Sequence, residues 1–163
     1  MARIERHIEI DREPKEVFDV ITDLDRLPNW ATIVVETHDV PETPLRNGTT
    51  FRQTIRVAGR NLESEWRVAE LEPPRHVAYE ATAPGGGQLA MKQTVVPTDG
   101  GSRVELELDY DLPGGFLGEL ADRAYLERRN EREAEHSLHN LKDLLEDRTI
   151  GRGSRAEALR GRP

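Results

Sequence analysis

Apolar and polar residues alternate with a period of two along most of this chain, the pattern of strands with one buried face. In residues 3–10, Ile4, Ile8 and Ile10 share a face opposite His7 and Glu9. Residues 33–40 form a second run. Phe51, Gln53, Ile55 and Val57 then alternate with Arg52 and Arg56, and Leu62, Ser64, Trp66 and Val68 alternate with Glu63, Glu65 and Arg67. Val77, Tyr79 and Ala81 fall together, as do Leu89, Met91, Gln93 and Val95. The cleanest alternation sets Val104, Leu106, Leu108 and Tyr110 against Arg103, Glu105, Glu107 and Asp109. Gly59, Glu72-Pro73-Pro74 and Asp99-Gly100-Gly101 separate the runs as turns.

The period changes in two places. After the first strand, Asp11 offers an N-cap ahead of Pro14, and Val17, Phe18, Val20 and Ile21 stripe one short helix. A second short helix spans 23–30 and ends in Leu27-Pro28-Asn29-Trp30. From Phe116 to about Arg148 the chain reads as one long helix, with Leu117, Leu120, Ala121, Ala124, Ala134, Leu138, Leu141 and Leu145 on its apolar stripe. Residues 149–163 are Arg- and Gly-rich with little to bury, and are expected to be a disordered tail behind one domain of residues 1–148. Seven strands with one apolar face and one long helix to cover it predict a two-layer α+β domain. A single helix does not fill the concavity of a strongly bent sheet, so a cavity between the layers is expected.

Composition narrows the functions open to such a domain. The 31 acidic and 23 basic residues give a net charge of −8, which argues against nucleic-acid binding. The absence of cysteine excludes disulfides, thiolate catalysis and cysteine-based metal sites. No apolar run approaches the roughly 20 residues needed to span a bilayer, and residues 1–10 lack the core of a signal peptide. A cytoplasmic protein without integral membrane association is expected. Its oligomeric state, monomer or homodimer, is left open.

Several local sequences carry a resemblance. They are Asp25-Arg26-Leu27-Pro28-Asn29-Trp30, the run from Trp66 to Arg75 leading into His76-Val77-Ala78-Tyr79-Glu80, Gly100-Gly101-Ser102-Arg103-Val104, and Leu138-His139-Asn140-Leu141-Lys142. Over about residues 3–147 the chain resembles the START-like (SRPBCC) superfamily, which includes polyketide cyclases and dehydrases, coenzyme Q-binding proteins, lipid-transfer domains and the birch-pollen allergen type. The resemblance implies a helix-grip fold, in which a curved antiparallel sheet wraps the long C-terminal helix. These sequences shape turns, strand edges and helix docking and specify no chemistry, and the fold hosts binding, transport and catalysis alike.

Candidate site residues are those whose type departs from their face. Gln53, Ser64 and Gln93 stand in register with apolar neighbours, where a buried polar group needs a partner. That partner is either a ligand or one of the other two. Trp66, Tyr79 and Tyr110 share the inward faces and bring large contact area with a polar tip. Trp30 stands near the expected cavity mouth, Met91 is an adaptable wall, and Phe116 and Leu120 open the long helix. Arg128, Asn130 and Glu131 are further along it, within reach of the cavity. His7, His38 and His76 alternate against apolar neighbours and are expected to be exposed. Glu133 and His136 form a single Glu-x-x-His, whereas a di-iron bundle needs two on facing helices, so no metal and no cofactor is expected. No Gly-x-Ser-x-Gly elbow is present, and Gly85 to Gly87 precede no helix and form no phosphate loop. The leading reading is a binder of a small hydrophobic molecule such as a lipid, quinone or polyketide-like aromatic. The alternatives are a cyclase- or dehydrase-like enzyme using a tyrosine, and a protein-interaction module.

Overall fold

The computed structural model describes residues 2–42, 44–57, 59–83, 86–111 and 123–146. Strand β1 (Ala2–Ile10) leads into α1 (Pro14–Ile21) and a 3₁₀ helix (Leu24–Asn29). Strands β2 (Val34–His38), β3 (Thr50–Val57), β4 (Arg60–Glu72), β5 (His76–Ala83), β6 (Gly87–Thr98) and β7 (Gly101–Asp111) follow, and α2 (Arg123–Glu146) closes the order. All seven strands form one antiparallel sheet in the order β1-β7-β6-β5-β4-β3-β2. It is the curved sheet and C-terminal helix of the helix-grip fold. Every neighbouring pair after β2 is consecutive in sequence, as short hairpin turns dictate. Only β1 crosses over, to lie beside β7.

The inward faces are those the alternation predicts, because side-chain direction in a strand is set by the backbone pleat. One row runs Phe51, Trp66, Ala81, Leu89 and Tyr110 across five strands. A bulge between Val68 and Glu70 bends β4 and resets its register. Gly101 is required where the β6–β7 hairpin meets the end of β1. Its φ is 152°, and a Cβ there would sit 2.4 Å from the Ile10 carbonyl oxygen. Beside it, Ser102 Oγ donates to the Arg12 carbonyl at 2.7 Å.

Two expectations about elements change. The α1 N-cap is Glu13, extended as a residue before proline must be, and it makes no side-chain cap bond. Asp11 lies too far upstream to cap, and its amide instead donates to Glu146 at 2.6 Å. Strand β2 stops at His38 because Asp39 takes φ 56°. The expected helix before Arg123, and the tail from 149, lie outside the described residues.

Packing is uneven along the sheet. Most of the completely buried side chains, Ile10, Val17, Ile21, Val95, Ser102, Val104 and Leu141, belong to α1, the C-terminal half of α2 and the parts of β1, β6 and β7 beside them. None of them lines the cavity described next. The molecule therefore has a solid end and a hollow end.

Candidate functional site: a cavity between sheet and helix

At the hollow end β3 to β7, the 3₁₀ helix and the middle of α2 surround a cavity of about 160 Å³. A single water needs only ~10–15 Å³ of such space, so this is room for a molecule. Phe51, Trp66 and Tyr79 form its aromatic wall. Phe51 and Trp66 stack at 6.2 Å, and Tyr79 meets both edge-on at 6.0 and 6.2 Å. Small or narrow side chains, Ala81, Ser64 and Gly87, leave the space open between larger ones.

The structure brings Trp30, Gln53, Ser64, Trp66, Tyr79, Met91, Gln93 and Tyr110 together around this one cavity. Phe116 and Leu120 lie outside the described residues. Four lining residues hold a buried polar atom with no hydrogen-bond partner: Trp30 Nε1, Gln53 Oε1, Tyr79 OH and Gln93 Oε1. Each of these residues is at most 5% exposed. Buried polar groups in folded proteins nearly always find partners, so four partnerless atoms around one void call for a cause. Burial also pushes the Tyr79 phenol well above its ordinary pKa, which keeps it protonated and a donor.

Ser64 differs from these four. Its hydroxyl donates to the Gln53 carbonyl oxygen at 3.0 Å and accepts from Trp66 Nε1 at 2.7 Å. The Ser64 proton and the indole N–H of Trp66 are both engaged within the wall, because their strand positions, two residues apart on one face, bring them together. Gln93 Nε2 donates to Met91 Sδ at 3.3 Å by the same same-face spacing, leaving its oxygen unpaired.

Beside the cavity, residues that sequence patterning did not single out for it join α2 to the segment after the 3₁₀ helix. Thr32 donates from its amide to Ser137 Oγ at 2.9 Å and from its hydroxyl to Glu133 Oε1 at 2.5 Å. Asn140 Nδ2 donates to the Trp30 carbonyl at 3.3 Å. These contacts clip the segment after the 3₁₀ helix to α2, and Glu133, Ser137 and Asn130 all line the cavity. The partners stand more than 100 residues apart, and no local period relates them. Of the other helix candidates, Glu131 pairs with Arg6 at 3.6 Å, and Arg128 is not among the lining residues.

Two histidines are less exposed than expected. His76 sits between Thr94 Oγ1 at 3.1 Å and Glu70 Oε1 at 2.8 Å, and His38 lies 3.1 Å from Thr54 Oγ1. Both face outward as the alternation predicts. Cross-strand neighbours half cover them, which a face assignment alone does not reveal. His7, His136 and His139 are exposed.

Comparison with known proteins agrees with this architecture. The sequence profile described as polyketide cyclase / dehydrase and lipid transport matches residues 1–146. An uncharacterized protein of Mycobacterium tuberculosis is 30% identical over 128 residues, covering 76% of this chain and 88% of its own. Among solved structures, the ZhuI aromatase/cyclase from Streptomyces sp. R1128 superposes with a TM-score of 0.73 at 21% identity, covering 90% of this chain and 94% of its own. A START superfamily protein from Mycobacterium smegmatis gives 0.67 at 13%, covering 89% and 97%. At these identities the two structures show a shared fold alone.

Proposed function

Because the chain belongs to the polyketide cyclase/dehydrase and lipid transport family, we propose that its cavity binds and carries a small, largely apolar molecule such as a lipid, quinone or polyketide-like aromatic. The observation that carries this reading is the set of four partnerless polar atoms, Trp30 Nε1, Gln53 Oε1, Tyr79 OH and Gln93 Oε1, around one apolar cavity. Each unmade buried hydrogen bond costs on the order of 1–3 kcal/mol, and a ligand supplying partners returns that energy on binding. Trp30, Gln53, Tyr79, Met91, Gln93 and Tyr110 are the proposed contacts. Ser64 and Trp66 shape the wall, with Trp66 offering its ring face. The carrier is proposed to work in the cytoplasm. Among the described residues no helix is long and apolar enough to cross a membrane.

The ZhuI likeness favours a second reading, in which the cavity folds a flexible substrate for ring closure. Tyr79 suits that role only as a proton or hydrogen-bond donor, since burial holds its phenol protonated. The described lining offers no histidine or lysine to act as base, and its carboxylates are Asp111, which is exposed, and Glu133, which is bonded to Thr32. Binding is therefore the preferred reading.

A thermal-shift screen of lipids, quinones and polyphenols, with native mass spectrometry of the purified protein, tests it. A ligand at 100 times its Kd stabilises by about 2.7 kcal/mol, or roughly 5–10 °C in Tm for a domain of this size. A flat screen together with an empty native spectrum would sink the binding reading.

A further inference from the structure

We infer that this cavity takes uncharged, hydroxyl-bearing ligands and turns carboxylates and phosphates away. The inference rests on the binding reading above and adds the ligand's charge and polar chemistry. Its ground is the inventory of the lining. Among the described residues the cavity wall holds no lysine, arginine or histidine. Among the described lining residues the only formal charges are the carboxylates of Asp111 and Glu133, and the whole chain carries −8. A carboxylate or phosphate drawn into this space would lose its hydration, meet no cation, and approach two like charges.

The partnerless atoms say what the ligand offers in place of charge. Gln53 Oε1 and Gln93 Oε1 are acceptors and call for hydroxyl or amide donors. Tyr79 OH and Trp30 Nε1 donate, and call for a carbonyl, ether or hydroxyl oxygen. Gln53 stands on β3 and Gln93 on β6, three strands away across the sheet, and the register sets them further apart along the strands, since the row of Gln53 reaches β6 at Gly87, so one polar group does not serve both. A hydroxyl both donates and accepts, and so satisfies either kind of site. A carboxylate only accepts, leaving both glutamine oxygens unpaired. A plain hydrocarbon satisfies none of the four. Phe51, Trp66 and Tyr79 supply flat apolar contact, which matches an aromatic or ring-bearing body.

The test uses matched probes at pH 7: 1-naphthol against 1-naphthoate, decan-1-ol against decanoate, and naphthalene as the hydrocarbon reference. Binding is read by calorimetry and by quenching of Trp30 and Trp66, the chain's two tryptophans, both in the cavity wall. The expected result is that each alcohol binds at least tenfold more tightly than its carboxylate, and 1-naphthol more tightly than naphthalene. The Gln53→Leu/Gln93→Leu protein should lose the naphthol preference over naphthalene to within about twofold. If that variant does not fold, the wild-type pairs still decide. Equal or tighter binding of the carboxylates overturns the inference and leaves the binding reading standing. If no alcohol binds, the inference falls whatever the library screen returns.

Discussion

Ser64 and Tyr79 stand on neighbouring strands of the same concave wall, yet their hydroxyls are in opposite circumstances. Ser64 is doubly engaged, with Gln53 and Trp66, whereas Tyr79 OH has no partner. The same deletion of an oxygen therefore has opposite expected signs. Ser64→Ala strands the buried indole N–H of Trp66 and should cost about 1–3 kcal/mol in urea denaturation. Tyr79→Phe removes a group whose desolvation is uncompensated, and the ligand-free protein should be unchanged or up to about 1 kcal/mol more stable. If Tyr79→Phe instead destabilises like Ser64→Ala, its hydroxyl is part of the fold and not held for a ligand.

At the level of elements, the last turn of α2 is tied to the β1–α1 junction by a compact polar clasp. Lys142 Nζ donates to the Glu9 carbonyl at 2.7 Å and to Glu146 Oε2 at 2.8 Å, and the same carboxylate accepts from the Asp11 amide. Burial by itself pushes the Glu146 carboxyl up. The hydrogen bonds from Lys142 and Asp11, with the nearby positive charges of Lys142 and Arg12, outweigh it and hold the pKa below its ordinary value. A folded-state pKa below the unfolded one means that stabilisation is present above the unfolded value, about 4.3, and is lost as pH falls through the folded value. Glu146→Gln should thus cost about 1 kcal/mol at pH 7. The gap between variant and parent should narrow in denaturation curves as pH falls below the unfolded value of about 4.3. A constant difference across that range would assign the clasp to packing and not to charge.

The whole molecule divides its sheet between stability and space. Fully buried side chains fill the end held by α1 and the C-terminal half of α2, while at the other end Ala81, Ser64 and Gly87 leave room between larger apolar residues. Filling the hollow end should therefore trade binding for stability. Ala81 is 6% exposed, lines the cavity and lies in register with Trp66 and Leu89. Ala81→Leu should keep the fold and raise stability by about 0.5–2 kcal/mol, as cavity-filling substitutions do. It should also weaken 1-naphthol binding at least tenfold. Tm and calorimetry measured together check this, and retained affinity in a folded variant would place the ligand elsewhere.

Read alone, the sequence determined the seven strands, their inward faces, the hairpins at Gly59 and Asp99-Gly100-Gly101, and the one helix left to cover the sheet. These follow from rules acting over a few residues: the pleat that sends neighbours to opposite faces, and the backbone freedom that turns require. It also marked Gln53, Ser64 and Gln93 as out of keeping with their faces. Which of those three is satisfied was decided by the tertiary structure, since Ser64 finds Trp66 and Gln53 while the two glutamine oxygens find nothing. Tertiary structure likewise decided that Thr32 meets Glu133 and Ser137, and that His38 and His76 are half covered. A face is a property of one strand. Same-face spacing can bring two neighbours of one strand together, as with Ser64 and Trp66, but a long-range partner, a cover or a void is a relation among side chains from distant segments, and no local period encodes it.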